Sequence, residues 1–388
     1  MELNNFININ NITNFETLKT ILESSLYNLK IKEDNDYPDL FLIHTQDNSD
    51  FSLKLVNECN GIILDKNTLK IVCYTFDKCH SELAFPPNMN TDNLYIEASL
   101  EGTLIRVYYH NNRWVFSTKK CIDSSKSKWV SNKNFLQLFN ECLVNITNLE
   151  ENLNKNHCYS FIITHPENNI IVKYQLPALY HISTRNMNTL EEIYENIGIN
   201  ILPKTIIDKH NLEETLVNIK NDKNLNYEGF IFVDNSFNRW KLKTTLFEEV
   251  RNLWGNTNNR FFKYLELRKN TSLLEQYLIY FGEDKNKFIS YEVDINNFAI
   301  IILNTYIEKH ITKKCQKVPF YFTKIIYKLH GDYFKDKIKT DFNKVMLTLL
   351  ELDPKQICFM INNYNKLAHK VEIEKLYDET FLDMNVAE

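Results

Sequence analysis

Before about residue 246, short runs of alternating apolar and polar residues dominate this chain. Four pairs of runs flank turn residues: residues 60–65 and 70–76, 102–110 and 113–119, 159–165 and 170–176, and 228–234 and 239–245. Each pair predicts a β-hairpin, because period-two patterning buries one face of a strand and exposes the other. Apolar spacings of three and four predict helices over residues 14–30, 189–197 and 212–220. Hairpins with inserted helices indicate an antiparallel α+β domain.

From about residue 246 onward, apolar residues recur at spacings of three and four in successive segments. This pattern predicts helices without strands. The chain is therefore expected to fold as α+β: an antiparallel-sheet domain over residues 1–250, followed by an all-helical C-terminal domain over residues 251–388.

Composition narrows the class of protein. Of the 388 residues, 44% are hydrophobic and 24% charged, which is typical of a globular protein. Seven glycines argue against glycine-rich phosphate loops, and eight cysteines without a CxxC pair indicate reduced thiols in the cytoplasm and no metal site. The sequence has no apolar run long enough to cross a membrane and no signal-peptide pattern at its start, so no membrane association is expected.

The basic residues are unevenly distributed, although the net charge is −5. Residues 113–133 hold six basic residues against one acid and include aromatic residues. Cations next to aromatic rings suit single-stranded nucleic acid, since cations meet phosphates and rings meet bases. The predicted RNA-binding residues are Arg106, Trp114, Lys119, Lys120, Lys126 and Lys128. Residues 309–344 hold ten lysines against three aspartates, a run that solvated surface explains better than a ligand does.

Five segments, in order and spacing, resemble the motifs of the covalent nucleotidyltransferase superfamily and, within it, the phage-type single-strand RNA ligases. They are "NECNGIILDK" (57–66), "SLEGTLI" (99–105), "YSFIITHPENNIIVKY" (159–174), "YEGFIF" (227–232) and "RWKLKT" (239–244), and "LWGN" (253–256) follows. The resemblance covers roughly residues 40–260 and implies an RNA ligase-like nucleotidyltransferase domain. It also implies that a nucleotide pocket is lined by Ser99, Glu101, Gly102, Phe161, Glu228, Lys241 and Lys243.

The chain departs from that pattern where the chemistry takes place. In the family a lysine amine attacks the α-phosphate of ATP, and here Ser99 stands at that position. A serine hydroxyl is a poor nucleophile without an adjacent base. Ile162 replaces the carboxylate of the third motif, and Asn60 replaces the arginine before Gly61. The resemblance is therefore to a degenerate member without the nucleophilic lysine, and no catalytic residue is assigned.

Three functions follow from this comparison. The first is a non-catalytic protein that binds a nucleotide or the 5′ end of RNA, the cap included, with no required cofactor; Tyr95, Phe161, Trp114 or Trp240 would stack on the base. The second is an active RNA ligase that uses ATP or GTP with Mg²⁺ and a displaced or engineered-away nucleophile, for which Lys119 and Lys120 are candidates. The third is a scaffold that contacts protein partners through the helical domain. The fold and composition suggest a large DNA virus, with the protein in the host cytoplasm.

Overall fold

We describe a computed structural model of the chain, which defines residues 1–81, 94–143, 146, 148–315 and 317–367. The chain divides into two compact units, Met1–Arg251 and Asn252–Glu388. Within the described residues, no helix combines the length and apolar character needed to cross a membrane.

In the part of the chain that the structure describes, all strands lie in the first unit, and the second unit is helical. The strands are β1 (Leu29–Asp34), β2 (Tyr37–Thr45), β3 (Ile62–Asp65), β4 (Ile71–Cys73), β5 (His80–Ser81), β6 (Tyr95–Ser99), β7 (Thr103–His110), β8 (Arg113–Ser117), β9 (His157–Thr164), β10 (Ala178–Asn186), β11 (Glu192–Ile193), β12 (Thr205–Ile206), β13 (Gly229–Val233) and β14 (Arg239–Lys243). The helices are α1 (Glu2–Ile9), α2 (Phe15–Leu22), α3 (Lys54–Glu58), α4 (Phe135–Glu141), α5 (Leu212–Asn221), α6 (Thr245–Trp254), α7 (Arg260–Leu267), α8 (Thr271–Tyr280), α9 (Lys285–Tyr306), α10 (Thr323–Asp336) and α11 (Phe342–Glu351), and residues 354–367 are also helical.

The strands form three sheets, ordered β1-β2-β3-β4, β11-β10-β9-β7-β8 and β12-β6-β13-β14-β5. All neighbours pair antiparallel except β14 and β5, which pair in parallel. The predicted fold class, an antiparallel α+β domain followed by a helical one, is therefore confirmed.

Three of the four predicted hairpins form: β3 with β4, β7 with β8 and β13 with β14. The turn between β7 and β8 consists of Asn111 and Asn112, at φ of 46° and 61°. Asparagine tolerates this left-handed region better than most residues, so the Asn-Asn pair favours the tight turn that the strand twist requires.

The hairpin predicted for residues 159–165 and 170–176 is wrong. β9 pairs with β10, while residues 170–176 form no strand. The backbone N–H groups of Ile171 and Val172 donate to the carboxylate of Glu101, at 2.7 and 2.8 Å. A side chain therefore takes the donors that a strand ladder would have used.

Two helix predictions also need correction. The predicted helix over residues 189–197 is absent, and strand β11 lies there instead, paired with β10. The predicted helix over residues 14–30 ends early: α2 begins after the Asn14 cap and stops at Leu22. Asn28 is left-handed, with φ 48°, and strand β1 follows it. The helix predicted over residues 212–220 is confirmed as α5.

The two faces of the sheet that contains β6, β13 and β14 differ in polarity. Phe232, Trp240 and Leu242 form a buried cluster, and side chains of α5 pack against it. Strand β13 lies between β6 and β14. Ser99 of β6 and Lys243 of β14 lie opposite Gly229, and Glu97 of β6 and Lys241 of β14 lie opposite Ile231. Because side chains alternate along strands, these four polar residues share the opposite face.

Candidate nucleotide-binding site

Ser99 ends strand β6 and is only 2% exposed. Its hydroxyl Oγ donates to Glu228 Oε2 at 3.5 Å, and its carbonyl accepts the Glu228 backbone N–H at 2.8 Å. Lys241 forms an ion pair with the same Glu228 oxygen. The Lys241 ammonium already engages this carboxylate oxygen, so the nearest carboxylate is poorly placed to take the proton of the serine.

Lys243 lies on the same face of β14 as Lys241, at the level of Ser99. Burial lowers the pKa of the Lys243 ammonium, while the charge of Glu228 opposes that effect. Two lysines thus flank one carboxylate on a half-buried strand face. An arrangement with an excess of positive charge suits a phosphate, whose oxygens accept charge-assisted hydrogen bonds.

In this structure Glu101 holds a segment of the backbone in place. Its Oε2 accepts the N–H groups of Ile171 and Val172, as described above. Burial raises the pKa of the Glu101 carboxyl above its ordinary value, and the negative charge of Glu228 adds to this effect. The two hydrogen bonds oppose the rise only in part. The carboxylate therefore anchors the segment that follows β9 beside Glu228 and Lys241.

Two glycines permit close contact between strands around Ser99. A Cβ on Gly102 would lie 2.5 Å from the carbonyl oxygen of Ile163 and 2.7 Å from Ile162 Cγ2. Gly229 has φ +152°, and a Cβ there would lie 2.1 Å from the Leu242 carbonyl oxygen. Both positions therefore require glycine, and Ile162, the substituted position of the third motif, packs directly against Gly102.

We expect Gly229→Ala to lower the free energy of unfolding by about 3 kcal/mol or more, because it combines backbone strain with a backbone clash. Gly198→Ala is the matched control: Gly198 also has a positive φ, +74°, but a Cβ there would meet nothing within 4 Å. Gly198→Ala therefore measures the cost of backbone strain alone, which should lower the free energy of unfolding by about 1–2 kcal/mol. Urea unfolding measures both variants, and an equal loss in the two would contradict the clash.

Two predicted site residues are buried in the interior of the first unit. Phe161 is fully buried in a core cluster, where it packs edge to face with Phe139 and stacks with Tyr159. Arg106 is 1% exposed and donates to the carbonyl oxygens of Gly61 and Thr118. Neither side chain reaches a base or an RNA phosphate, so both are left out of the function proposed below. Trp240 is buried on the apolar face and is left out as well.

The predicted RNA-binding lysines differ in their surroundings. Lys120 and Lys128 are exposed. Lys126 is exposed but forms ion pairs with Asp34 and Asp36, which raise its pKa. Lys119 is half-buried over the ring of Phe76, at 4.6 Å, and burial lowers its pKa to about 8.

Trp114, the predicted RNA-binding aromatic residue, is half-buried. It packs edge to face with Tyr109 at 5.2 Å and lies against the core cluster that contains Phe161. A cavity of about 620 Å³ borders its ring, together with residues of α4 and residues 148–151. The structure thus places Trp114 apart from the residues gathered around Ser99.

A cavity of about 720 Å³ lies along the same face of β6 as Ser99 and is lined by Tyr95, Glu97, Tyr194, Lys204 and others. The Lys204 ammonium is 4.5 Å from the ring centroids of both Tyr95 and Tyr194. Glu97 is 5% exposed, and burial raises its pKa. The sequence signal for Glu97 and Tyr95 was their alternation with Ser99, whereas Tyr194 and Lys204 carried none.

The described residues include no group of three or more His, Cys, Asp or Glu side chains placed to hold a metal ion. Near Ser99, the Glu228 carboxylate is paired with Lys241, and Glu101 is bound to backbone N–H groups. These carboxylates do not fit a resident Mg²⁺ ion, because both are already engaged.

Relatives of the chain are distant and viral. It is 25% identical over 336 residues to the "Immediate-early protein ICP-46 homolog" of Invertebrate iridescent virus 6, covering 76% of this chain and 70% of that protein. It is 24% identical to the "Putative bifunctional polynucleotide kinase/RNA ligase" of Autographa californica nuclear polyhedrosis virus, covering 54% of this chain and 32% of that one. It is also 25% identical to a "Putative RNA-ligase" of African swine fever virus, covering 36% of each chain. No family model matches.

Two of the solved structures that align with part of this chain are of RNA ligases. An archaeal ATP-dependent RNA ligase aligns with a TM-score of 0.44 and 12% identity, covering 71% of this chain and 70% of that one. A Naegleria gruberi RNA ligase mutant with ATP and Mn aligns with a TM-score of 0.32 and 12% identity, covering 41% and 52%. Proteins named as RNA ligases thus stand among both the distant sequence relatives and the structural neighbours of this chain.

Proposed function

We propose that this chain is an RNA ligase-like protein that binds a nucleotide, or the 5′ end of an RNA, without forming a covalent bond. The observation that carries the proposal is the environment of Ser99: a hydroxyl next to an ion-paired carboxylate, with two lysines on the same strand face. The site has cations for phosphates but a poor nucleophile.

The phosphates would bind at Lys241 and Lys243. Both lysines project from one face of β14, and Lys241 already holds one anion, the Glu228 carboxylate. A phosphate is a stronger and more highly charged acceptor than this carboxylate, so it would share or replace it. In the RNA ligase named above as a structural neighbour the bound nucleotide is ATP with Mn.

The base would enter the cavity beside Glu97. There the rings of Tyr95 and Tyr194 already enclose a cation, the Lys204 ammonium. A methylated guanine base carries a positive charge, stacks on aromatic rings and presents N–H donors to a carboxylate such as Glu97. These features favour a cap over an unmodified nucleotide.

Covalent labelling together with RNA binding tests this proposal. We expect no label on the denatured protein after incubation with α-labelled ATP or GTP and Mg²⁺. We expect binding of short RNAs in the order capped, then 5′-phosphate, then 5′-hydroxyl. A retained label would refute the non-covalent function, and equal binding of the three RNAs would refute recognition of the 5′ end.

One observation favours the alternative of an active ligase: the lowered pKa of Lys119. A lysine with a pKa of about 8 holds more of the neutral amine at neutral pH than an ordinary lysine, and the neutral amine is the nucleophile. If label is retained, Lys119→Arg should abolish it, while Lys120→Arg, an exposed neighbour, should not. If neither label nor RNA binding is found, the scaffold function with protein partners remains.

A further inference from the structure

Six aromatic side chains gather around the end of α9 and one face of α10: Tyr306, His310, Tyr327, His330, Tyr333 and Phe334. His310 and His330 stack at 3.6 Å between centroids, with 23° between their planes. His330 also stacks on Tyr333 at 6.4 Å and contacts the edge of Phe334 at 4.7 Å. We call this group the aromatic platform.

The platform is an outward-facing surface. Tyr327 is 52% exposed, Tyr333 40% and Phe334 60%, whereas Tyr306 beneath them is 4% exposed. Residues 327, 330 and 334 recur at spacings of three and four, so they share one face of α10, and Tyr333 lies three residues after His330. Three large rings on one exposed face mark a contact surface, since monomers rarely leave such groups together in water.

A π-helical turn directly after α9 completes the platform. Residues Ile307–Ile311 form a π-helical turn, and this turn carries His310. Such turns are uncommon and occur often at functional sites. The turn places the His310 ring against His330 and Tyr327, at 3.6 and 5.9 Å between ring centroids.

The surrounding charge is positive. Lys337 lies 6.0 Å from the Tyr333 ring and 5.6 Å from the Phe334 ring. Lys309 contributes positive charge at His310, and Asp332 on α10 is neutralised by Lys344 at 2.8 Å. An acidic polymer complements this surface, and exposed rings select one whose bases are unpaired.

We propose that the aromatic platform binds single-stranded RNA, with bases stacked on Tyr333, Phe334 and Tyr327 and phosphates at the neighbouring lysines. The inference concerns the helical unit alone and does not depend on the nucleotide pocket. It assigns a ligand to the lysine-rich run of residues 309–344, where the sequence pattern favoured solvated surface.

The test uses the full chain and a 3′-fluorescent uridine decamer with a 5′-hydroxyl, followed by fluorescence anisotropy. We expect the variant Tyr333→Leu/Phe334→Leu, which keeps apolar bulk but removes both rings, to bind at least about tenfold more weakly. The matched control is Phe320→Leu/Phe359→Leu, because that aromatic pair on the same unit is 66% and 51% exposed. The control should change the affinity less than about twofold, since its rings lie outside the platform.

Three outcomes would overturn the proposal: no binding of the decamer by the unmodified chain, an equal loss in both double variants, or no loss in the platform variant. Thermal unfolding of both variants identifies any loss of binding that arises from misfolding. If the platform variant is misfolded, Lys337→Asn decides, because asparagine tolerates the φ of 56° at this position. It should reduce the salt dependence of decamer binding by about one phosphate contact. Failure of the pocket proposal would appear separately, in titrations with mononucleotides.

Discussion

Replacing Lys241 and Lys243 together by alanine is expected to weaken mononucleotide binding at least about a hundredfold, because hydrogen bonds to charged groups contribute about 1.5–3 kcal/mol each. The loss of Lys241 also leaves the Glu228 carboxylate without its partner, so that it repels the incoming phosphate. Isothermal titration with ATP, GTP and a methylated cap analogue measures this effect on each ligand.

A charge-matched control separates a local effect from the loss of two positive charges. Lys220 and Lys223 lie at the end of α5 and just beyond it, and Lys220 is paired with Glu248 at 3.3 Å. Lys220→Ala/Lys223→Ala changes the net charge by the same amount and should alter nucleotide affinity less than about twofold, because exposed charges are screened by salt. Equal losses in the two double variants would contradict binding at the strand face.

Glu228→Gln distinguishes a receptor from a catalyst at the same site. In a non-covalent receptor this change frees Lys241 from its ion pair, so nucleotide affinity should stay the same or increase. A marked loss of affinity would mean that the carboxylate itself contacts the ligand, or a ligand-bound metal ion. That result would favour the catalytic alternative and would contradict phosphate binding by the lysines alone.

The alternation of apolar and polar residues predicted strands correctly where the two paired strands follow each other in the sequence. The hairpins formed by β3 with β4, β7 with β8 and β13 with β14 contain turn residues that specify their own geometry, as Asn111 and Asn112 do. The third hairpin was wrong because Glu101, about seventy residues away, binds the backbone of Ile171 and Val172. The residues on either side of 170–176 in the sequence therefore do not reveal the contact with Glu101.

The residues of the candidate site were predictable in position but not always in orientation. Motif order located Ser99, Glu228, Lys241 and Lys243, and period-two alternation put Ser99, Lys241 and Lys243 on one face. The same motifs also included Phe161, which points to the core on the side opposite Ile162 because neighbouring residues on a strand face opposite ways. Which face of a sheet is buried depends on what packs there, and α4 covers the side of Phe161.

Strand β11, where the sequence predicted a helix, contains a buried ion-pair network that joins two sheets. Glu192 binds Arg239 of β14, with Nη1 to Oε2 at 2.9 Å, and Arg185 of β10, with Nη2 to Oε2 at 3.3 Å. Its side chain is 4% exposed, and those of Arg239 and Arg185 are 5% and 11% exposed. One carboxylate thus neutralises two buried guanidinium groups, and helix propensity over residues 189–197 is too small to compete with this arrangement.

Glu192→Gln is therefore expected to lower the free energy of unfolding by about 3–5 kcal/mol, because it leaves two buried cations without a counter-charge. Glu191→Gln is the matched control: Glu191 is the adjacent residue and is exposed, so its change should stay within about 0.5 kcal/mol. Urea unfolding followed by tryptophan emission reports on the sheet-bearing unit through Trp240, which is 7% exposed. A small effect of Glu192→Gln would mean that the guanidinium groups reach water, and that packing rather than this ion pair holds the two sheets together.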